Sequence, residues 1–396
     1  MHRLNTALGM PQHRFASIHV VGTNGKSSVT RMTAALLEAH GLAAGACVSP
    51  HTTRWSERIL LGGEEIGPAE FAAAAQRVAD AAAMVDRTLD EGEEVTQFEI
   101  ATAIAFVAFV AARRDVAVVE AGLGGRLDAT NTIPSKVTVL TSVGLDHTEW
   151  LGETETEIAA EKLAVLHHGT TLVLGRVSEP VRQLAERFAS ERGARIVIAP
   201  EDPGAELELR AAGSYQRRNL ALALAAAEAF LGELDPARAA AAAASVVVPG
   251  RLERIAEEPP VFLDAAHNPD GARALAESLP ELAPGPIVAV LAVLADKDAE
   301  GIITALAPAV ERIITTEIPA DGPISPAGAD NSARRRGWGA GGLAEICGRV
   351  GVAAEAVAGF EDAIARGREL ASGTAGGALL VTGSHYALGP ARAALS

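Results

Sequence analysis

The segment between residues 17 and 41 constrains the fold of this chain more than any other, because it has the pattern of a strand, a tight turn and a helix. Residues 18–21 form a short apolar run, which is typical of a buried strand. After the turn, Val29, Met32 and Leu36 recur at the spacing of one helical face, and Gly41 can end the helix in the left-handed conformation. The segment therefore indicates an α/β fold.

The turn between this strand and this helix has the composition of a phosphate-binding loop. It consists of Gly22, Thr23, Asn24, Gly25, Lys26, Ser27 and Ser28. Glycines let backbone N–H groups point inward toward a phosphate, and the positive end of the helix dipole adds to the attraction. Lys26 supplies a charge for the β- and γ-phosphates, and a hydroxyl after it can reach Mg²⁺. Val20 stands where the strict P-loop pattern has glycine, so the loop is a shortened variant; the alternative is an ordinary strand–helix turn.

Apolar runs with strand character alternate with helical patterns along most of the chain, which predicts a mainly parallel sheet covered on both faces. The predicted strands are residues 18–21, 116–120, 137–141, 171–174, 196–199, 261–264, 287–291, 312–316 and 378–382. An alanine-rich helical stretch at 216–245 separates two series of strands. Because 396 residues exceed one ordinary domain, we predict two domains, at residues 1–257 and 258–396.

The charge and the apolar pattern argue against several classes of function. A formal net charge of −16 argues against a nucleic-acid surface and against docking on anionic membranes. The longest apolar run, at 100–112, is too short to span a bilayer and is typical of a buried helix. Cys47 and Cys347 have no metal-ligand spacing and fit a reducing compartment, so we predict a cytoplasmic protein. The Gly-, Pro-, Ser- and Arg-rich stretch at 321–342 predicts a mobile surface loop.

Ten further motifs follow the phosphate loop along the chain. They are SPHTTRWSERI (49–59), TQFEIATAIAF (96–106), EAGLGGRLDATN (120–131), GLDHTEWLG (144–152), EIAAEK (157–162), QRRN (216–219), PGRLE (249–253), DAAHNPDG (264–271), DKD (296–298) and TGSHY (382–386). In this order, and with GTNGK before them, they resemble the folylpolyglutamate synthase/dihydrofolate synthase branch of the Mur ligase superfamily. The resemblance covers almost the whole chain, and GLGGRLDATN together with DxAHNP is specific to that branch.

This resemblance implies a P-loop α/β domain of the Mur ligase central type, followed by a smaller Rossmann-like α/β domain. It implies a ligase that uses ATP and two Mg²⁺ ions to add L-glutamate to dihydropteroate, to reduced folates or to both, through an acyl phosphate. Because a cleft enzyme of this kind needs no partner chain, we expect a monomer. Two alternatives are another ligase of the superfamily that acts on a non-folate carboxylate, and a nucleotide-binding switch or regulatory ATPase.

Four features depart from the family pattern. Ser27 stands where the branch has glycine, and for this reason we favour Ser28 as the hydroxyl that faces the metal. Tyr215 replaces the histidine that precedes Gln216 in the branch. The segment before the phosphate loop is shorter than is typical, and the loop that carries Arg334, Arg335 and Arg336 is longer.

The candidate metal ligands follow predicted strands. Glu120 closes an apolar strand at the edge where α/β sheets bind ligands. The resemblance implies that Glu120 and Ser49 bind one Mg²⁺ and that His147 binds a second. By itself, Glu120 could be a solvated charge at a strand end, and the spacing around His147 favours a transition metal or a core histidine.

Three residues are candidates for catalysis: Lys26, Lys162 and His267. The spacing of Lys162 after Glu157 and Glu161 favours a surface ion pair on a helix. The resemblance implies instead that Lys162 is carbamylated and supports the Mg²⁺ site.

The resemblance also assigns the remaining ligand contacts. It places Asn219 at the adenine, Arg251 and Asp264 at the phosphates and ribose, and His267 and Ser384 at the incoming glutamate. Without it, Arg251 could be a linker charge and His267 a core histidine.

Two segments match the part of the family that holds dihydropteroate. They are Thr96, Gln97, Phe98 and Glu99, and then Leu127, Asp128 and Ala129. Phe98 could stack on the flat pterin ring, and Glu99 or Asp128 could accept its amino hydrogens. The alternative for Phe98 is an ordinary core position.

Overall fold

The structure is a computed structural model and describes residues 1–204, 207–283, 285–319 and 337–395. Its strands are β1 (Ala16–Val21), β2 (Ala44–Cys47), β3 (Ile59–Leu61), β4 (Glu64–Glu65), β5 (Val116–Glu120), β6 (Val137–Leu140), β7 (Thr171–Leu174), β8 (Arg195–Ile198), β9 (Glu253–Glu257), β10 (Pro260–Leu263), β11 (Ile287–Leu291), β12 (Arg312–Thr315), β13 (Ala353–Ala356) and β14 (Ala378–Thr382). Its helices are α1 (His2–Ala7), α2 (Lys26–Ala39), α3 (Pro68–Asp86), α4 (Gln97–Ala111), α5 (Thr148–Leu151), α6 (Glu155–Leu163), α7 (Glu179–Arg192), α8 (Ser214–Leu231), α9 (Pro236–Ser245), α10 (Pro269–Ser278), α11 (Ala299–Leu306), α12 (Ala340–Val350), α13 (Phe360–Ser372) and α14 (His385–Leu395).

Among the described residues, no helix combines the length and the apolar character needed to cross a membrane. The loop predicted at 321–342, with its three arginines, lies outside the described residues as far as residue 336, and α12 begins at Ala340.

The chain divides into two compact units. The first contains Met1–His51, Trp55–Arg210 and Arg217–Val247, and the second contains Thr52–Arg54, Ala211–Gln216 and Val248–Ser396. The main segment of the second unit therefore begins ten residues before residue 258, where we predicted the second domain to start. The reason is β9, which pairs antiparallel with β10 and so belongs to the second sheet.

The first sheet has eight strands in the order β4-β3-β2-β5-β1-β6-β7-β8. The six strands from β2 to β8 in this order are parallel, and β3 and β4 extend the sheet antiparallel. β1 lies between β5 and β6, with Val20 opposite both Glu120 and Val139. Because parallel strands end at the same edge, the loops that follow β1, β5 and β6 come together there.

The apolar helix α4 forms the core on one face of this sheet. Its residues from Ala101 to Phe109 are buried, which confirms the buried helix predicted at 100–112. Phe15 packs against Phe106 and Phe109, with ring centroids 5.9 Å and 5.6 Å apart. A helix that is apolar on all sides is stable only when it is buried. Here α4 shares a hydrophobic core with α3 and with Ala117 and Val119 of β5.

The second sheet has six strands in the order β13-β12-β11-β14-β10-β9, all parallel except β9. One face packs on α10, α11 and α12, through Leu275, Ile302 and Leu343. The other face packs on α13 and α14, through Ile364 and Leu388. This doubly wound arrangement confirms the predicted Rossmann-like fold.

All nine predicted strands are present, and their ends differ from the prediction by no more than two residues. Sequence reasoning missed β2, β3, β4, β9 and β13. Of these, Ala44–Cys47 has no β-branched residue, and three of the five residues in Glu253–Glu257 are charged, so neither has a strand pattern by itself.

Candidate active site

The phosphate loop joins β1 to α2 and packs against the segment that follows β6. Thr23 N donates to Ser142 O at 2.8 Å, and Asn24 N donates to Ser142 Oγ at 3.0 Å. Lys26 is the first residue of α2, and its Nζ donates to Thr23 O at 3.1 Å, so the lysine lies across the loop. The N-cap residue of α2 is Gly25, which offers no side-chain cap. This geometry leaves the helix dipole directed at the loop, as an anion site requires.

Both glycines of the loop are required by their surroundings. Gly22 and Gly25 have φ of 152° and 86°. A Cβ on Gly22 would lie 1.9 Å from Thr141 Oγ1, and a Cβ on Gly25 would lie 2.5 Å from Asn219 Oδ1. The second contact also shows that Asn219 of α8 lies directly against the phosphate loop, which is compatible with its expected place beside the nucleotide.

Glu120 joins two segments that the sequence places far apart. Its side chain is buried at the end of β5, where Ser27 Oγ lies 3.0 Å from Oε1 and Ser49 N donates to Oε2 at 2.9 Å. Ser27 Oγ also lies 3.3 Å from Ser49 O. Ser28 Oγ, in contrast, is buried without a hydrogen-bond partner among the described residues. The geometry therefore favours Ser27, rather than Ser28, as the hydroxyl beside the predicted metal ligand.

The oxygen donors of Glu120, Ser27 and Ser49 fit a hard cation. Among the described residues, no group of three or more His, Cys, Asp or Glu side chains could hold a metal ion. This pattern suits Mg²⁺, which is bound through one or two carboxylates and takes its other ligands from water and substrate phosphates. The same oxygen donors would also suit Mn²⁺, whereas zinc and copper are more often bound through nitrogen or sulfur ligands.

His147 lies in the loop after β6 and is the residue before α5. It has a left-handed φ of 52°, and its backbone N donates to Asp146 Oδ1 at 2.9 Å. Its Nε2 lies 3.8 Å from the same carboxylate. The same loop is tied to the phosphate loop, because Gly144 N donates to Thr23 Oγ1 at 3.1 Å. His147 therefore lies at the carboxyl edge of the sheet, beside a carboxylate.

Lys162 is buried, and the surface ion pair that its spacing favours is wrong. Its Nζ donates to Gly22 O at 3.0 Å, while Glu161 pairs with Arg126 at 2.9 Å. Burial, reinforced by the nearby charge of Lys26, lowers the pKa of Lys162 to about 7, although Asp146 and Asp128 oppose the shift. The amine is therefore partly neutral, and thus nucleophilic, at neutral pH.

The 122–129 loop, which follows β5, is held together by Asp128. Asp128 Oδ2 accepts from Gly122 N at 3.0 Å and from Leu123 N at 2.9 Å, and Oδ1 accepts from Thr130 N at 2.9 Å. Burial raises the pKa of Asp128, and these hydrogen bonds oppose the increase. Both oxygens of Asp128 therefore bind groups of its own loop and close it, and the contact with ligand hydrogens stays a prediction.

The other predicted pterin contacts surround this loop. Leu127 is 92% exposed, and Ala129 is buried. Phe98 packs on Gly122, where an added Cβ would lie 2.4 Å from Phe98 Cζ. The ring of Phe98 is half-buried and therefore contributes to the packing of the loop.

Thr96, Gln97 and Glu99 lie at the start of α4. Gln97 is its first residue, and Thr96 and Glu99 form a capping box. The Glu99 carboxylate also contacts the amino group of Met1. Like Asp128, Glu99 therefore already has protein donors on its oxygens.

Asp264 organises the nucleotide residues predicted in the second unit. It follows β10 and is buried; Oδ2 accepts from Tyr215 Oη and from Leu252 N, each at 2.8 Å. Oδ1 accepts from Ala266 N at 2.8 Å. Burial raises the pKa of Asp264, while the charge of Arg251 lowers it. Sequence reasoning noted Tyr215 only as a departure from the family, and its hydrogen bond to Asp264 was missed.

The predicted glutamate residues lie near one another in the second unit. His267 Nδ1 lies 2.8 Å from Ala265 O, which requires a proton on Nδ1. The ring of His267 is 5.3 Å from the ring of His385, which lies 3.3 Å from the Arg251 guanidinium. Ser384 is buried beside His385, and its Oγ accepts from Tyr386 N at 3.2 Å. His385 was not singled out from the sequence, although the TGSHY motif contains it.

The chain matches two family models that together cover most of its length. The Mur ligase middle domain matches residues 20–191, and the Mur ligase glutamate ligase domain matches residues 250–385. A Mycobacterium tuberculosis protein named dihydrofolate synthase/folylpolyglutamate synthase is 38% identical over 350 residues, which cover 78% of this chain and 72% of the relative.

Solved structures agree with these matches. A Mycobacterium tuberculosis folylpolyglutamate synthase complexed with ADP has a TM-score of 0.89 and 34% identity, and the match covers 99% of this chain and 93% of that one. A bifunctional folylpolyglutamate synthase/dihydrofolate synthase with Mn, AMPPNP and L-glutamate bound has a TM-score of 0.82 and 28% identity, covering 100% and 93%.

The fold and the site define the class of this protein. A phosphate loop at the edge of a parallel sheet, with a buried carboxylate and a buried lysine beside it, belongs to a P-loop enzyme that handles a nucleoside triphosphate. The family models and the relatives narrow this class to the ATP-dependent ligases. The chain belongs to the Mur ligase family, in its folylpolyglutamate synthase/dihydrofolate synthase branch.

Proposed function

We propose that this chain adds L-glutamate to dihydropteroate, to reduced folates or to both, at the expense of ATP. The observation that carries the proposal is the arrangement around the phosphate loop, where Ser27, Ser49 and Glu120 meet and Lys162 contacts Gly22. The relatives support the substrate class, since the Mycobacterium tuberculosis protein is named for both folate reactions and one matched structure holds L-glutamate.

The reaction needs an activated carboxylate, because a free carboxylate is a poor electrophile. Phosphoryl transfer from ATP converts it into an acyl phosphate, and the glutamate amine then displaces phosphate to form the amide. Lys26 and the N-terminus of α2 stabilise the negative charge that develops on the transferred phosphoryl group. Glu120, Ser27 and Ser49 would hold Mg²⁺, with His147 near a second ion, and the metal would supply charge neutralisation at the phosphates.

We propose that Lys162 is carbamylated in the active protein. Its neutral amine attacks CO₂, a C–N bond forms, and one proton is released, which converts the neutral amine into an N-carboxylate. The pKa of about 7 supports this step, because an ordinary lysine is almost fully protonated at neutral pH. Intact mass spectrometry in bicarbonate buffer tests it. Full activity of a chain that carries only the plain amine would exclude the modification.

We propose that Asn219 contacts the adenine of ATP, that Arg251 and Asp264 contact its phosphates and ribose, and that His267 and Ser384 contact glutamate. Because Nδ1 of His267 carries a proton, Nε2 is the acceptor nitrogen of the ring, which suits a contact with an amine. A His267→Ala variant should chiefly raise KM for glutamate, whereas His13→Ala, an exposed control, should not.

One assay separates this proposal from its alternatives. The protein is incubated with ATP, Mg²⁺ and glutamate, with and without dihydropteroate or tetrahydrofolate, and phosphate release is measured. We expect release that depends on the pterin. Hydrolysis indifferent to it would favour a regulatory ATPase, and release with a different carboxylate alone would favour another Mur-type ligase.

We also propose that the protein acts in the cytoplasm as a monomer, since its expected partners are small molecules. Sedimentation at micromolar concentration should show one species of 40.6 kDa. A dimer would contradict this.

A further inference from the structure

A chain of polar side chains runs from the centre of the first sheet to the 122–129 loop. His19 lies on β1 and is completely buried, and its Nε2 is 2.8 Å from Thr130 Oγ1. Thr130 is also completely buried, and its Oγ1 donates to Asp128 Oδ1. Asp128 in turn accepts from the backbone N of Gly122 and of Leu123. His19 is therefore connected to the loop through two intervening side chains.

The hydrogen bonds in this chain have one possible direction. A carboxylate that receives three backbone donors acts as an acceptor, so the single proton of Thr130 Oγ1 points toward Asp128. The threonine oxygen must then accept from His19, which places the imidazole proton on Nε2. Nδ1 is left as a bare lone pair, and it is buried without a hydrogen-bond partner among the described residues.

The surroundings keep His19 neutral. Burial, with a smaller contribution from His167, lowers the pKa of His19 to about 3. The neighbours of His19 in the sheet are Val119 on β5 and Thr138 on β6. Burying a histidine here removes the water that hydrates its two nitrogens, and a single hydrogen bond replaces that water. Valine or isoleucine would pack in the same position without this desolvation cost. The histidine thus contributes something that an apolar core residue could not, namely a donor for Thr130.

We propose that His19 and Thr130 are positioning residues for the folate substrate that receives glutamate, which is called the acceptor below. The two residues fix Asp128, and Asp128 in turn holds the 122–129 loop in the conformation that presents Leu123 and Leu127. Both leucines are large apolar residues on the surface, 40% and 92% exposed, as a contact for a flat aromatic substrate requires. This inference rests on the proposed function, which places the acceptor at this loop.

The test removes the central hydroxyl with almost no change in shape. We expect Thr130→Val to raise KM for dihydropteroate or tetrahydrofolate about tenfold, because the loss of a hydrogen bond to a charged group frees the loop. KM for ATP, KM for glutamate and kcat should change by less than about twofold. Thr130→Ser, which keeps the hydroxyl, should restore the acceptor KM.

Thr138→Val is the matched control. Thr138 is buried opposite His19 and its hydroxyl lies 3.5 Å from Ser135 Oγ, so this variant disturbs the same core without touching the chain of hydrogen bonds. Its acceptor KM should equal that of the wild type. An equal rise in both variants, or no rise in Thr130→Val, would overturn the inference.

Two further measurements keep the outcome decisive. Leu127→Ala tests the loop itself: an unchanged acceptor KM removes the acceptor from this loop, and the proposed site fails with it. A raised KM in Leu127→Ala together with a normal KM in Thr130→Val overturns only the positioning role. If Thr130→Val does not fold, the ¹⁵N chemical shifts of His19 in the wild-type protein test the inference instead. A proton on Nδ1 would contradict the direction of the hydrogen bonds from His19 through Thr130 to Asp128, and would overturn the inference.

Discussion

At the residue scale, the site depends on three charged side chains in buried positions. Glu120, Lys162 and Asp264 are each less than 5% exposed. Each has partners from distant parts of the chain, such as Ser27 for Glu120 and Gly22 for Lys162. Burying a charge is unfavourable unless it is paired, so these positions are costly for folding and are explained by the chemistry that they support.

Lys26→Ala should lower turnover by at least about a hundredfold, because fixed positive charge at the transferred phosphoryl group is among the largest contributions to such catalysis. The fold should remain intact, since Lys26 is only partly buried and its ammonium donates to a single carbonyl of its own loop. Steady-state phosphate release with circular dichroism measures both. Lys136→Ala, on the loop before β6, is the control and should retain activity; equal turnover of the two variants would remove Lys26 from the site.

Lys162 should make stability depend on pH. Its pKa is about 7 in the fold and ordinarily 10.5, so between these values the unfolded chain binds one proton more than the folded chain. Stability therefore rises with pH in this window, by at most about 1.4 kcal/mol per pH unit. Urea unfolding in CO₂-free buffer at pH 7.5 and pH 9 measures the rise. In Lys162→Met the increase in the free energy of unfolding over this interval should be smaller by about 2 kcal/mol. An equal increase in both proteins would mean that the buried amine of the wild type stays protonated.

At the scale of single elements, the close approach of α8 to the start of α2 is the contact on which the nucleotide site depends. Gly25 precedes α2 and leaves room for Asn219 of α8. Only glycine has no Cβ to collide with a side chain at this distance. The close contact with Asn219 therefore explains the glycine at position 25 better than turn propensity does.

Gly25→Ala should weaken ATP binding strongly, because its Cβ would lie 2.5 Å from Asn219 Oδ1 and displace both groups. Gly41→Ala is the matched control: Gly41 has a similar φ of 90°, but a Cβ there meets nothing within 4 Å. Both variants should lose about 1 kcal/mol of stability from backbone strain. Calorimetric titration with ATP should separate them, and equal ATP affinities would show that the contact with Asn219 is unimportant.

At the scale of the whole molecule, the two units have separate sheets and separate cores. The main segment of the second unit begins at Val248, because β9 completes the second sheet and Leu252 donates to Asp264. The second unit thus includes residues 248–257, which the sequence analysis assigned to the first domain.

A fragment that begins at residue 248 should be more stable than one that begins at residue 258. The shorter fragment lacks β9, exposes the edge of β10 and removes one donor from the buried carboxylate of Asp264. Thermal unfolding of the two fragments measures the difference. Equal midpoints would support the boundary at residue 257 instead.

Local patterns determined much of this protein from the sequence alone. The nine predicted strands, the helix at 100–112 and the phosphate loop each depend on residues within one element, where periodicity, glycine and charge act over short range. The order of the motifs also identified the family, because their residues and spacing can be read from the printed chain. The short strands β2 and β9 escaped this reading, since their pairing depends on neighbours rather than on their own residues.

Only the tertiary structure decided which groups meet. The sequence favoured a surface ion pair for Lys162, Ser28 over Ser27, and a ligand contact for Asp128; the fold buries Lys162 against Gly22, places Ser27 on Glu120 and engages Asp128 within its own loop. The contacts of Lys162 and Ser27 join residues many positions apart, whereas those of Asp128 are local but follow no periodic pattern. The physical reason is that burial and pKa depend on what packs around a side chain, and in a parallel sheet the neighbours come from separate strands.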